Sequence, residues 1–425
     1  MDTSQLSIGM FVGMLDRPWL ETPFIFQGFE IKDRLEIEQL QQYCSQVYVE
    51  IERGKLAEKT IRALAAGGPV TRVIGANESL PDRPGFVHQW IVRMGLYNFL
   101  KQRKKKHPGG YAITSTVRGE APQAKLAYEI CVKSHRRIYE RARRAGFVES
   151  DRVMRAVTPL VKSILRNPNA MAWTVFSKKR GARNYNRAVA TAVWAIMFGR
   201  HLGFERKDLR NLGIGGLLLD IGNTALQDDL GRTAGAITQD QYAQVPQHVQ
   251  AGVDILHRSP GIEPAVFEML MYHHERYDGS GYPHAVSGSN IPPYGRIAGI
   301  VDCYDATTTK TSYSPALAAY DAARELNEMR DRQFSTEVVA QFLHTIGMFP
   351  TGSVVELSDA SVGLVLEQNP DNLLQPKTLI LQSADGIRRR KPLIMNPPDW
   401  VGRGLWIAKG HEHGAFGIDP LDYFN

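Results

Sequence analysis

The sequence predicts a mainly helical protein with a small N-terminal α/β domain and a short β-rich C-terminal appendage. Helix-period segments dominate from about residue 120 to 347. Short extended runs and one helical stretch fill the first 55 residues. Beyond His344 the pattern changes to strand-like runs separated by turn residues. The expected domains are residues 1–55, a partly disordered or helical linker over 56–120, a helical domain over 121–347, and the appendage with its tail over 348–425.

In the N-terminal domain, residues 10–12 and 24–27 form short extended runs broken by Gly and Pro. Residues 33–44 have apolar side chains at helical spacing, and residues 47–52 are strand-like. Residues 56–120 contain Gly/Pro clusters and a basic run, which is typical of a linker.

The predicted helical domain opens with residues 124–146, which end in Gly146 at the expected C-cap position. Residues 185–203 place an apolar stripe on one helix face, and residues 212–223 are apolar nearly all round, which predicts a buried segment. Further helical segments are expected within 249–258, 265–277 and 320–331. In the appendage, strands are expected at 353–357, 362–366 and 378–382.

Composition favours a cytoplasmic globular protein. The 425 residues are 43% hydrophobic and 22% charged, and no apolar run approaches the roughly 18–20 residues that a membrane helix needs. The N-terminus lacks the features of a secretory signal, and the three cysteines are too widely spaced for a disulfide framework. The net charge of +7 arises partly from basic runs at 101–106 and 388–391. Such runs favour solvated surface, and attraction to an anionic partner is the alternative.

Histidines and acids recur at helix positions in the helical domain. The segment HHERYDGSGYP (273–283) places His273 and His274 at the end of a helix, before a loop rich in turn residues. Asp220 lies among leucines, where a carboxylate must be paired, protonated or metal-bound, and helix capping is an alternative role. His248 and Asp302 lie on other helices. Imidazole and carboxylate groups on converging helices suit manganese, iron or zinc.

HHERYDGSGYP resembles the signature of the HD-GYP family, a bacterial subgroup of the HD phosphohydrolases. The resemblance covers roughly residues 185–385, and the first 55 residues resemble the accessory domain that often precedes such modules. It implies an HD-type helical bundle that uses two or three metal ions, typically iron or manganese, to hydrolyse cyclic di-GMP.

The resemblance also implies roles for individual residues. The metal ligands would be Asp220, His248, His273, His274 and Asp302. Catalytic roles would fall to Asp220, Asp302 and Tyr282. The substrate or recognition loop would comprise Arg276, Asp278, Gly279, Gly281, Tyr282 and Pro283, together with Tyr313 further along the chain.

Several positions depart from the family pattern. Tyr185 stands where a ligand histidine is expected, and LDIGN replaces HDIGK, so that Leu219 and Asn223 replace a histidine and a lysine. Thr311 and Ser314 replace basic phosphate-binding residues. The resemblance assigns the lost histidines and Asp302 to one metal position, and the other four ligands to its neighbour.

These substitutions predict one divalent ion, iron or manganese, in a regulatory or binding protein with weak or no hydrolysis. The alternative is an active metal-dependent cyclic di-GMP phosphodiesterase. Expected partners are cyclic di-GMP or a related nucleotide and a diguanylate cyclase or other signalling protein. Nucleic-acid binding is the least favoured interpretation, and the sequence does not predict the oligomeric state.

Overall fold

A computed structural model of the chain describes residues 2–15, 29–31, 34–45, 47–50, 111–178, 183–226, 246–309, 317–369, 372–411 and 414–423. These residues divide between two compact units. The first comprises Met1–Trp90 with Asp371–Leu374, and the second comprises Ile91–Pro370 with Gln375–Asn425. Most of the predicted linker lies outside the described residues, and a helix already begins at Val117, just before the predicted end of that linker.

In its described residues, the first unit contains a three-stranded antiparallel sheet, one α-helix and a short 3₁₀ helix, Thr3–Gln5. Its elements are β1 (Phe11–Leu15), β2 (Phe29–Glu30), α1 (Arg34–Tyr43) and β3 (Val47–Glu50), with strand order β2-β1-β3. Side chains including Met10, Val12, Ile31 and Leu40 are fully buried and form its core. The predicted helix at 33–44 and the strand beginning at 47 are therefore present. The run predicted at 24–27 lies outside the described residues.

The second unit begins with ten helices among its described residues. They are α2 (Val117–Ala145), α3 (Ser150–Arg166), α4 (Pro168–Lys178), α5 (Arg183–His201), α6 (Arg206–Leu218), α7 (Gln247–His257), α8 (Pro264–Tyr272), α9 (Pro293–Thr307), α10 (Ala319–Glu328) and α11 (Thr336–Ile346). No helix in the described part of the chain is long and apolar enough to cross a membrane.

Local chemistry sets the ends of these helices and their packing. The Thr116 hydroxyl accepts a hydrogen bond from the Gly119 N–H and caps the start of α2. Gly146 ends α2 in the left-handed conformation, as the sequence predicts. The predicted apolar stripe of α5 is buried, and Trp194 and Phe198 are also fully buried, so α5 lies in the interior of the bundle.

The second unit ends in a five-stranded antiparallel sheet. Its strands are β4 (Val354–Leu357), β5 (Val362–Glu367), β6 (Lys377–Gln382), β7 (Arg388–Met395) and β8 (Ile407–His411), in the order β7-β6-β5-β4-β8, with α12 (Pro397–Arg403) between β7 and β8. The three predicted strands are present. The basic run at 388–391 is exposed, as predicted, but it forms part of the edge strand β7. An edge strand needs no apolar alternation at its exposed end, so the pattern did not indicate it.

Candidate metal centre

Asp220 lies just beyond the end of α6 and precedes a 3₁₀ turn, Ile221–Thr224. Its side chain is 43% exposed, whereas the apolar surroundings in the sequence predict burial. The position at the helix end explains the difference, because the carboxylate leaves the bundle interior there. Its Oδ1 lies 3.8 Å from Nε2 of His248, which is buried on α7.

The short distance between Asp220 and α7 depends on Gly222. A Cβ at this position would lie 1.8 Å from the carbonyl oxygen of His248 and 2.6 Å from the amide nitrogen of Gly252. No side chain can be accommodated at such distances without moving the backbone. The glycine therefore lets the turn after Asp220 pack directly against the first half of α7.

Three histidines meet next to this turn. His273 forms the C-cap of α8, His274 follows it, and His248 approaches from α7. One ring nitrogen of each lies within 4.8 Å of the corresponding nitrogen of the other two. The Nε2 atoms of His248 and His273 are 3.4 Å apart. His273 Nδ1 lies 2.8 Å from the Leu270 carbonyl oxygen, which can only accept, so Nδ1 donates and Nε2 faces His248 with its lone pair.

The electrostatics of the cluster favour neutral imidazoles at His273 and His274 beside an ionised carboxylate. Burial lowers the pKa of His273 to about 4 and lowers the pKa of His274 far below its usual range. For Asp220, partial removal from water acts to raise the pKa, but nearby positive charge, chiefly that of Arg187, outweighs it and the pKa is lowered. Neutral imidazole and carboxylate are the forms that bind metals, and the carbonyl partner of His273 is typical support for a ligand. The three imidazoles fit a divalent cation, and the Asp220 carboxylate lies next to one of them.

The loop after His274 is anchored to the cluster. The buried carboxylate of Glu275 accepts hydrogen bonds from the N–H groups of His284 (2.7 Å) and Val286 (3.0 Å). A Cβ at Gly281 would lie 2.5 Å from the Cα of Glu275, so the loop needs glycine there. The ring of Tyr282 consequently stacks on His274, with centroids 4.5 Å apart.

The other residues of the predicted recognition loop divide into internal and exposed positions. Arg276 donates to the carbonyl oxygens of His273 and Glu275, at 3.0 Å each, so its guanidinium supports the backbone of the loop. Asp278 and Pro283 are exposed, and Gly279 has a φ of 82° at the turn. Tyr313 lies outside the described residues.

Asp302 on α9 has a partner that the sequence did not indicate. Nη2 of Arg187, on α5, lies 2.7 Å from Oδ1 of Asp302, and Nε of Arg187 lies 3.9 Å from Oδ2 of Asp305. Asp305 is completely buried, and the Asp302 side chain is only 11% exposed. Two acids three residues apart on one apolar helix require a nearby cation. The spacing of the two acids therefore predicts a nearby cation, although it does not identify Arg187 as that cation.

Two family models match parts of the chain. Residues 169–338 match the family described as HD domain, and residues 1–153 match a domain of unknown function (DUF3391). The HD match contains all three clustered histidines and the loop that follows them. Residues 169–338 are thus similar to an HD domain. Because HD-domain phosphohydrolases are metal-dependent, a divalent metal ion is the cofactor that this similarity supports.

Two relatives and one solved structure are similar to the chain as follows. The chain is 27% identical over 425 residues to a cyclic di-GMP phosphodiesterase of Pseudomonas aeruginosa, covering 99% of this chain and 92% of that protein. It is 35% identical over 127 residues to 3'3'-cGAMP-specific phosphodiesterase 2 of Vibrio cholerae, covering 30% of this chain and 24% of that protein. An HDGYP protein of Bdellovibrio bacteriovorus matches with 14% identity and a TM-score of 0.42, over 58% of this chain and 78% of that one.

Two of the positions that depart from the HD-GYP pattern, Leu219 and Asn223, lie in the described part of the chain. Leu219 is 2% exposed, so an aliphatic side chain is packed in the position of the expected histidine. Asn223 is partly exposed, and its N–H donates to the carbonyl oxygen of Asp220. Tyr185 belongs to α5, but its side chain lies outside the described part, as do Thr311 and Ser314.

Proposed function

We propose that this chain is a degenerate HD-GYP protein of bacterial cyclic di-GMP signalling. It would bind one divalent ion, iron or manganese, and a cyclic dinucleotide, and would act in the cytoplasm by binding or regulation with weak or no hydrolysis. Cyclic di-GMP is the expected ligand, because it is named as the substrate of the Pseudomonas aeruginosa relative, which this chain matches over nearly its whole length.

One observation carries this proposal. The candidate ligands form two sets. The first can bind one ion together, whereas the second is a single acid that is already ion-paired. His248, His273 and His274 converge, and the Asp220 carboxylate lies next to His248. Asp302 is instead ion-paired with Arg187, and the buried Leu219 offers no ligand atom. The described residues thus support one metal position and leave its neighbour without a complete ligand set.

Hydrolysis should be weak for a physical reason. A bound divalent ion polarises a phosphoryl oxygen and activates water, and a second ion normally stabilises the other oxygen of an in-line displacement. Here Asp220 is ionised and can orient a water molecule, and Tyr282 is held against His274 by stacking. Asn223 can offer only a neutral donor, and neutral hydrogen bonds are about half as strong as charged ones. Each missing catalytic group typically lowers the rate by about 10²–10⁴.

The test compares binding with turnover in the full chain. Purified protein loaded with Mn²⁺, or with Fe²⁺ under anaerobic conditions, is titrated with cyclic di-GMP, and the linear product is followed by chromatography. We expect metal-dependent binding, with turnover at least about a hundredfold below that of the Pseudomonas aeruginosa relative assayed in parallel. Asp220→Asn should weaken metal-dependent binding, whereas Asp254→Asn, the same change at an exposed position of α7, should not. Turnover equal to that of the relative would refute the regulatory function.

The proposed function includes a signalling protein as partner, such as a diguanylate cyclase. The exposed part of the loop around Asp278 and Pro283 is the surface we assign to it, by analogy with the family. Binding of a purified diguanylate cyclase domain should be lost in Pro283→Ala with the metal content unchanged. Failure of the wild-type chain to bind any such domain would contradict this part of the proposal.

The predicted domain limits, at residues 55, 120 and 347, also remain part of the proposal. Limited proteolysis should cleave the chain first between residues 56 and 116. Fragments that begin instead within the helical domain would contradict these limits.

A further inference from the structure

We propose that Arg187 is an anion-binding residue of the metal centre, which presents a fixed guanidinium to a phosphate group held beside the three histidines. The inference rests on the proposed function for the metal itself, and it adds a ligand contact that lies outside the set of predicted site residues. The chemical class of the ligand is a phosphate monoester or diester, for which inorganic phosphate is the simplest probe.

The first support is the way in which Arg187 is held. Asp302 accepts a hydrogen bond from Nη2 at 2.7 Å, and Asp305 lies 3.9 Å from Nε. Two carboxylates on α9 thus fix the orientation of the guanidinium. An arginine has five N–H donors in a rigid fork, so one hydrogen bond to Asp302 leaves most of them available. The side chain is 35% exposed, which allows a ligand to reach it.

The second support is an unsatisfied donor. Within the described residues, Nε of Arg187 is buried and has no hydrogen-bond acceptor. A buried donor without an acceptor costs free energy, and native structures rarely leave one unexplained. The guanidinium therefore keeps unused hydrogen-bonding capacity, and its solvent-exposed part can be offered to an anion.

The third support is proximity to the histidine cluster. A Cβ at Gly299, one turn before Asp302 on α9, would lie 3.0 Å from the carbonyl oxygen of His273. Helix α9 therefore packs against the end of α8 that carries two of the histidines, and the Arg187–Asp302 ion pair lies on the next turn of α9. A metal-bound phosphate would be flanked by a permanently charged fork, and arginine is the residue that matches phosphate geometry in two parallel hydrogen bonds.

The experiment measures inorganic phosphate binding to the Mn²⁺-loaded full chain by titration calorimetry, with metal content determined on the same samples. Arg187→Gln should weaken phosphate binding roughly 10- to 100-fold with the Mn²⁺ content unchanged. Arg136→Gln, which removes the same charge at a position 68% exposed on α2, should leave phosphate binding unchanged. Arg187→Lys keeps the charge and loses the fork, so its affinity should lie between those of the wild type and Arg187→Gln.

Each outcome decides the inference. Equal phosphate affinity in the wild type and Arg187→Gln would overturn it. A parallel loss of Mn²⁺ and phosphate would also overturn it, because Arg187 would then act only by holding the metal ligands. If Arg187→Gln does not fold, Arg187→Lys with wild-type phosphate affinity overturns the inference, and a severalfold weakening supports it. High turnover of cyclic di-GMP would refute the proposed regulatory function without changing this binding result.

Discussion

The guanidinium of Arg187 lies 2.7 Å from the carboxylate of Asp302, and the two residues come from helices α5 and α9 of the bundle. Asp302, which the family resemblance predicts to bind a metal ion, is therefore ion-paired with an arginine side chain. The charge of Asp302 is therefore already balanced by a side-chain cation. The other candidate ligands, on α7, at the end of α8 and in the turn after α6, form a separate group.

Asp302→Asn tests whether this acid is an ion-pair partner or a metal ligand. Removing the charge from a mostly buried ion pair should lower the free energy of unfolding by about 1–3 kcal/mol, because Arg187 keeps its charge. The Mn²⁺ content of the folded protein should stay the same. Urea unfolding and metal analysis measure the two quantities, with Asp254→Asn as the exposed control. A lower Mn²⁺ content in folded Asp302→Asn would show that Asp302 binds metal.

Gly222→Ala should disrupt the contact between the turn after Asp220 and helix α7. The added Cβ would lie 1.8 Å from a backbone oxygen, so the turn must move away from His248. We expect destabilisation of about 1–3 kcal/mol and weaker Mn²⁺ binding, measured by urea unfolding and by competition with a metal indicator. Gly402→Ala is the control, because that position has free space around it. If Gly222→Ala binds Mn²⁺ with wild-type affinity, the packing of this turn does not contribute to metal binding.

Glu275→Ala should loosen the loop that follows the histidines. The substitution removes the acceptor of two backbone N–H groups, and we expect about 2–3 kcal/mol of destabilisation. Amide exchange should accelerate within residues 276–288 and remain slow in α5. The exposed Glu263 provides a matched control, Glu263→Ala. Unchanged exchange in the loop would mean that Glu275 does not anchor it.

A buried neutral histidine should make stability fall in mild acid. His135 on α2 is 3% exposed, and burial lowers its pKa to about 4 from an ordinary value near 6.5. Above pH 6.5 neither state binds the proton. Between pH 6.5 and 4 the unfolded chain binds a proton at His135 and the folded protein does not. The free energy of unfolding therefore falls as the pH is lowered, and this group accounts for about 2 kcal/mol of the decrease at pH 5.

His135→Gln should remove that part of the pH dependence. Urea unfolding of the metal-free protein at pH 7.5 and 5.0 measures the difference between the two values. His257→Gln, at an exposed position of α7, should leave the difference as it is in the wild type. An identical pH dependence in His135→Gln and the wild type would show that His135 is not held neutral.

Much of this molecule could be predicted from local sequence patterns. The apolar period located α5, the glycine located the end of α2, and the alternating runs located three strands of the C-terminal sheet. The resemblance identified the histidines that converge. Patterns of this kind depend on neighbours within one element, which the sequence displays directly.

What could not be predicted depends on contacts between distant segments. Arg187 and Asp302 are 115 residues apart, and nothing local to either residue indicates the other. The same holds for the buried Glu120, which pairs with Arg166 between α2 and α3. The exposure of Asp220 follows from where α6 ends, and helix boundaries are set by packing as much as by sequence.

The most direct test of the single-metal centre is the number of ions bound per chain. Freshly purified full-length protein, loaded with Mn²⁺ or Fe²⁺ and freed of excess metal, is measured by elemental mass spectrometry against protein concentration. We expect one ion per chain, and loss of that ion in His248→Ala. Two tightly bound ions per chain, or one ion that persists unchanged in His248→Ala, would contradict the account.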